Sequence, residues 1–264
     1  MDSRSGLVLL DVAEGVARIR FNRPEALNAI NEGLARAFLA ACESIASRND
    51  VRVVVLSGEG KGFMAGGDVA RMVQEMPRAY TVIDALLDCI DPALLLLADL
   101  AAPVVASVHG AVAGAGVGIM LAADLAIAAD DTRINLAYTA IGATPDATST
   151  WTLPRLVGLR RSMEIALLSD SYPAADALAL GLVNRVVPRA ELDSATDAIV
   201  RRLASGPTQA YGRIKKLLRG SFDRTMEEQM ALERTAFRES SLTADFKEGT
   251  LAFVGKRRAK FTGE

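Results

Sequence analysis

Two stretches of this chain offer a ligand more main chain than side chain. They are GEGKGFMAGGD (58–68) and VHGAVAGAGVGIMLAAD (108–124). Each follows an apolar strand-like run and precedes a helical one, an arrangement that leaves backbone N–H groups unpaired at a helix start. Side chains this small let a ligand reach those groups. A phosphate loop would close on Gly-Lys-Ser/Thr, yet no lysine occurs between Lys61 and Lys215. The glycines at 114, 116 and 118 lack the spacing and the later acid of a dinucleotide fingerprint. His109 is the single histidine and ends a strand-like run beside Gly110, so it is read as structural, which removes a Ser-His-Asp site. No acid, histidine or cysteine cluster has metal-ligand spacing, so no metal is expected. The lysine gap argues against a central Schiff base. What survives is a pair of backbone N–H donors, one from each loop, aimed at a carbonyl oxygen. Losing one such donor typically costs about 2.7–4 kcal/mol of transition-state stabilisation.

The elements that must hold these loops are legible around them. LVLLDV and VARIRF read as two early strands, Asn31 as the N-cap of a helix over 32–47, and VRVVVLSG as a strand covered on both faces. PVVASVHG, DLAIAAD, RINLA and VNRVV read as further strands, and residues 85–100 as a buried helix pair. The segment from 204 onward reads as charged amphipathic helices able to pack on the core or on a second subunit. With 264 residues, 30 basic against 32 acidic side chains and a net charge of -2, the chain lacks a nucleic-acid footprint. Cys42 and Cys89 form no CxxC pair and suit a reducing compartment. MDSRSGLVLLDV has too short an apolar run for a signal peptide, and residues 85–100 are too interrupted by acids and Pro92 for a membrane span. A cytoplasmic protein with no membrane partner is expected.

RPEALNAI, VVVLSGEGKGFMAGGDVARM, PVVASVHGAVAGAGVGIMLAADLAIAADDTRI, LPRLVG and EGTLAFVGKRRAKF together carry a resemblance that runs nearly end to end. The chain resembles the crotonase superfamily of enoyl-CoA hydratases and isomerases. That resemblance implies an α/β fold, a crotonase (ClpP-like) spiral of ββα units with a C-terminal helical extension. It implies an acyl-CoA core over 1–203, a trimerisation region over 204–264, and a homotrimer or a hexamer made of two trimers. The implied substrate is an acyl-CoA thioester, coenzyme A being part of the substrate with no separate cofactor. Carried over, the oxyanion donors fall on Gly67 and Ala115. Ala65, Gly67, Asp68, Val69 and Ala70 would line the CoA pocket, and Phe253 and Lys256 would approach CoA from the C-terminal end. A solvated charge is an equal reading of Lys256.

The departures from the family pattern are informative. Its hydratases use one glutamate in the glycine loop and a second about twenty residues later to activate water. Gly118 and Tyr138 stand at those positions. A different acid, Asp146, follows Pro145 ahead of an expected helix. On residues alone it reads as an N-cap. By resemblance it matches the acid/base of the epoxyphenylacetyl-CoA isomerases and the Δ3,Δ2-enoyl-CoA isomerases. A helix start would lower its pKa, and an apolar pocket around Tyr138 and Trp151 would raise it.

An isomerase is therefore expected. The same turn is similar to 4-chlorobenzoyl-CoA dehalogenase, in which the aspartate attacks an aromatic carbon. That group adds a histidine and a tryptophan where this chain has Asp91 and Tyr138. Other readings are a thioesterase or carbon–carbon bond hydrolase, and a trimer that binds acyl-CoA without turnover. Asp124 reads as a structural cap or pair, Asp130 and Asp131 as a turn, and Trp151 as core or substrate wall. Met64 and Met72 read as core filling or channel wall.

Overall fold

The structure, a computed structural model, describes residues 6–264, so the first five residues of the segment read for targeting signals lie outside it. The chain opens with the hairpin strands β1 (Val8–Ala13) and β2 (Val16–Phe21), followed by α1 (Glu32–Ala46). Asn31 caps α1 as expected, its side chain accepting from the Leu34 N–H at 2.9 Å. A second turn of the chain lays down β3 (Val53–Gly58), β4 (Gly62–Met64), the short α2 (Val69–Gln74) and the long α3 (Ala79–Asp99). A third gives β5 (Val104–Val108), β6 (Ala111–Ala113) and α4 (Ala115–Ala122). A fourth gives β7 (Leu125–Ala129), β8 (Arg133–Asn135) and α5 (Ser149–Leu168). Gly158 interrupts α5 at φ 76° and ψ 159°.

The first of these turns places both its strands in a six-stranded sheet, and each of the next three places one strand there and one in a four-stranded sheet. The orders are β1-β2-β3-β5-β7-β10 and β4-β6-β8-β9, with β9 (Tyr172–Pro173) and β10 (Arg185–Val187) flanking α6 (Ala174–Leu180). Among the strand pairs of the described residues, only β1–β2 and β8–β9 are antiparallel. The spiral of strand–strand–helix units that the resemblance implied is thus present. Helices α7 (Leu192–Ala204), α8 (Thr208–Gly220), α9 (Met226–Ser240) and α10 (Ala244–Val254) follow.

The continuous apolar run of β3 has a direct explanation. Val54 and Leu56 enter the main core beneath α1 and α3, whereas Val53 and Val55 enter a second core closed by Leu192 and Val200 of α7. Phe21 centres the main core, meeting Phe38 and Phe63 edge-on at ring distances of 5.3 and 5.6 Å. Helix α3 corrects one expectation: residues 85–99 lie in a single helix that Leu100 caps, not a pair. Pro92 removes one backbone hydrogen bond, but the buried stripe Val82, Leu86, Ile90, Ala93 and Leu97 runs across it, and packing keeps the helix whole.

Asp124 is structural, as read. It accepts from the Val104 N–H and pairs with Lys215 at 2.9 Å and Arg219 at 2.8 Å, tying α8 to the strands. Asp130 and Asp131 occupy a turn. His109 is buried with Nε2 2.9 Å from the Gly60 carbonyl, consistent with a structural role. Both cysteines are free. Among the described residues, no helix is long and apolar enough to cross a membrane, and no group of three or more His, Cys, Asp or Glu could hold a metal.

Candidate active site

The two glycine loops meet back to back. An added Cβ on Gly66 would stand 3.1 Å from the Ala113 carbonyl oxygen and 3.2 Å from the Gly114 Cα, and one on Gly114 would stand 3.3 Å from the Gly66 Cα. Both residues have positive φ, 89° and 51°, so glycine serves conformation and close approach together. This contact brings Gly67 and Ala115 to one wall of a cleft of about 590 Å³. The neighbours of Gly67 are anchored to Ile30: the Ile30 N–H donates to the Gly66 carbonyl and the Asp68 N–H to the Ile30 carbonyl. Ala115 is the first residue of α4, where N–H groups have no partner within the helix. Among the described residues neither the Gly67 nor the Ala115 N–H donates to a protein acceptor.

Asp146 and Tyr138 line the same cleft. After β8 the Ala137 N–H donates to Asn135 Oδ1, and Ala137 turns at φ 58° to set Tyr138 at the start of a short 3-10 turn. Asp146 precedes two left-handed residues, Ala147 at φ 47° and Thr148 at φ 66°. The N-cap reading of Asp146 is overturned here. Thr148 holds the cap position of α5, and Asp146 lies two residues further out, so its carboxyl turns instead to accept the Tyr138 hydroxyl at 2.5 Å. Burial pushes the Asp146 carboxyl above the usual carboxylate range, and the Asp91 charge on α3 adds to this, against the lowering effect of the Tyr138 hydrogen bond. Of the two influences weighed from sequence, the apolar pocket prevails. Burial and the facing Asp146 also push the Tyr138 phenol up, so it stays protonated and donates.

Of the residues singled out from sequence, Ala65, Gly67, Val69, Ala115, Tyr138 and Asp146 line this cleft, as does Met72, whereas Met64 is core. The others lie elsewhere in the chain. Asp68 caps α2 and pairs with Arg23 at 2.7 Å. Burial raises its pKa, and the Arg23 and Arg71 N–H bonds outweigh that and hold it below the usual range. Ala70 is exposed on α2. Trp151 faces a separate apolar groove and stacks under the Arg155 guanidinium at 3.9 Å, because the α5 surface bearing it turns away from Asp146. Phe253 is 86% exposed beside a hollow under α10, and Lys256 is exposed past the end of that helix.

The sequence reading missed the aliphatic wall formed by Ile83, Leu86, Leu87 and Ile90 of α3 with Leu136 and Ile141. The apolar stripe of α3 was visible, but periodicity alone assigns such a stripe to core. Position 118 is also explained. An added Cβ on Gly118 would lie 2.3 Å from the Ala147 carbonyl oxygen and 2.8 Å from Ser149 Oγ, so a side chain there meets the turn that carries Asp146.

A thioester oxygen held by the two N–H groups would gain charge stabilisation, in a cleft whose apolar walls strengthen such bonds. A carboxyl raised by burial in the same cleft can take up and return a proton.

Comparisons with known proteins identify the family. The profile of the enoyl-CoA hydratase/isomerase family matches residues 11–264. A Rhodobacter capsulatus protein named "Probable enoyl-CoA hydratase" is 37% identical over 96% of each chain. The 1,2-epoxyphenylacetyl-CoA isomerase of Escherichia coli K12 is 36% identical over 97% of this chain and 98% of its own. The crystal structure of an enoyl-CoA hydratase of Mycobacterium smegmatis superposes with a TM-score of 0.90 at 32% identity, covering 97% of this chain and 99% of the other. The spiral, the paired donors and the match from residue 11 to residue 264 together place the chain: it belongs to the enoyl-CoA hydratase/isomerase family.

Proposed function

We propose that the chain is an enoyl-CoA isomerase, shifting a double bond through an oxyanion-stabilised thioester dienolate with Asp146 as the single acid/base. One observation carries the choice of isomerase over hydratase. Among the described residues Asp146 is the one acid lining the cleft that also holds Gly67 and Ala115, while position 118, where a hydratase glutamate would stand, is closed by the Ala147 backbone. The thioester oxygen sits between the Gly67 and Ala115 N–H groups. Asp146 takes a proton from carbon 2, the electron pair moves into the thioester, and the same carboxyl returns the proton to carbon 4, leaving the double bond between carbons 2 and 3. No water is consumed. The 1,2-epoxyphenylacetyl-CoA isomerase among the relatives supports this reading. Dehalogenation ranks below it, because its ester intermediate needs a base to activate water, and the single histidine is engaged with Gly60.

Coenzyme A enters as part of the substrate, with Ala65 and Val69 at the cleft and Phe253 and Lys256 reaching it from the C-terminal end. We assign residues 204–264 to trimerisation, giving a homotrimer or a hexamer of two trimers. The exposed Leu218, Phe222, Phe237 and Leu242 on and between α8, α9 and α10 support that assignment. The test mixes wild type and Asp146→Asn with a 3-enoyl-CoA and follows the ultraviolet absorbance of the conjugated 2-enoyl thioester. Product from wild type and none from the variant is expected; silence from both, with the thioester bound, refutes the reading for that substrate.

A further inference from the structure

The hydrogen bond between Tyr138 and Asp146 does more than satisfy a buried hydroxyl. The two residues come from separate segments, and each is set by backbone that side chains adopt reluctantly: Ala137 before Tyr138, and Ala147 and Thr148 after Asp146, all have positive φ. Further bonds fix both segments. The Ala143 N–H donates to the Tyr138 carbonyl at 3.0 Å, and the Ser149 N–H to the Asp146 carbonyl at 2.9 Å. Tyr138 is 9% exposed, and its hydroxyl donates to Asp146 Oδ1. No other side chain of the described residues hydrogen-bonds this carboxyl. The remaining charged group acting on it is Asp91 from α3.

We propose that Tyr138 is the positioning residue for Asp146, dedicating Oδ1 to the protein and leaving Oδ2 as the one oxygen that exchanges protons with the acyl chain. This deepens the isomerase reading and rests on it. A carboxyl held by one oxygen cannot rotate to present the other. The proton removed from carbon 2 and the proton delivered to carbon 4 therefore pass through the same atom on the same face of the dienolate. Tyr138 breaks no bond itself. Its hydrogen stays on the phenol throughout while the C–H bond at carbon 2 breaks and the one at carbon 4 forms.

The test titrates Asp146 with and without the donor. Aspartate labelled with 13C at the side-chain carboxyl is incorporated, the Asp146 signal is assigned by its loss in Asp146→Asn, and its midpoint is followed by NMR in wild type and Tyr138→Phe. A hydrogen bond to a charged acceptor predicts a midpoint higher by about one to two pH units in Tyr138→Phe. The acid limb of kcat/KM for the 3-enoyl-CoA should move the same way, with KM nearly unchanged. Site-specific 3-fluorotyrosine at 138 keeps the ring and strengthens the donor, so both should move to lower pH. A midpoint within about 0.3 units of wild type in both proteins overturns the proposal and leaves Tyr138 as packing. A shifted midpoint supports the positioning role. Absence of isomerase turnover in wild type overturns the isomerase reading, and the two failures stay separate because the titration needs no substrate.

Discussion

Gly118→Ala tests whether the turn carrying Asp146 is held in register by the missing side chain at 118. The added methyl would start 2.3 Å from the Ala147 carbonyl oxygen, 2.9 Å from the Ala147 Cβ and 2.8 Å from Ser149 Oγ. Ordinary carbon–oxygen contact needs about 3.3 Å, so the turn must retreat by about 1 Å. Asp146 immediately precedes Ala147 and moves with it. A displacement of about 1 Å at a reacting group costs on the order of 100-fold, which is the fall expected in kcat. Substrate binding should change less than kcat, because the nearest atoms met by the added methyl belong to the Ala147–Ser149 turn and not to the Gly67 loop. Stability should change modestly: overpacking costs about 1–3 kcal/mol, against about 1 kcal/mol gained from alanine over glycine inside α4. The net corresponds to a fall in Tm of no more than about 8 °C. The assay pairs steady-state kinetics on a 3-enoyl-CoA with calorimetry. A kcat within about threefold of wild type, in a protein of unchanged fold, would refute the claim that this contact sets the position of Asp146.

Two further outcomes concern stability. Because the Asp146 carboxyl is raised by burial in the folded chain, the folded state holds its proton more tightly than the unfolded state. The stability this contributes is complete below the ordinary carboxyl range and is lost as pH rises through the raised folded value. Asp146→Asn should therefore match wild type in acid and become the more stable protein toward neutral pH, as read by urea unfolding across pH; an advantage that shrinks as pH rises would contradict this. Asp124→Asn leaves Lys215, whose side chain is 7% exposed, with the Leu97 and Ala102 carbonyls but no paired counter-charge, and should cost about 3–5 kcal/mol in denaturant unfolding, much of it recovered when Lys215→Met is added. A loss well under 1 kcal/mol would show that the triad contributes little.

The long elements were readable because their signals are local: the capped, periodic α1 and the β-branched run of β3 need no knowledge of what they touch. The strands β4 and β6 are three residues each and lie inside glycine-rich stretches, too short for any alternation to register. They exist because the neighbouring strands of the smaller sheet pair with them. At the site, glycine placement pointed to one N–H donor from each loop and the resemblance to Gly67 and Ala115, but the orientation of Asp146 was not legible. Whether that carboxyl caps α5 or faces the cleft depends on two alanine and threonine residues adopting positive φ, a conformation those residue types do not announce. The same limit explains Trp151. Its spacing from Asp146 fits one helix turn, but Asp146 stands outside the helix, so that spacing sets no shared face.

The central claim, that one carboxyl carries one proton between two carbons of a bound thioester, is tested most directly by isotope transfer. A 3-enoyl-CoA deuterated at carbon 2 is converted by wild-type protein in ordinary water, and the product is analysed by deuterium NMR and mass spectrometry. The account predicts a conjugated 2-enoyl product of unchanged skeleton with deuterium detectable at carbon 4. A product that has gained the mass of water, or an isomerised product with no deuterium at carbon 4, would contradict it.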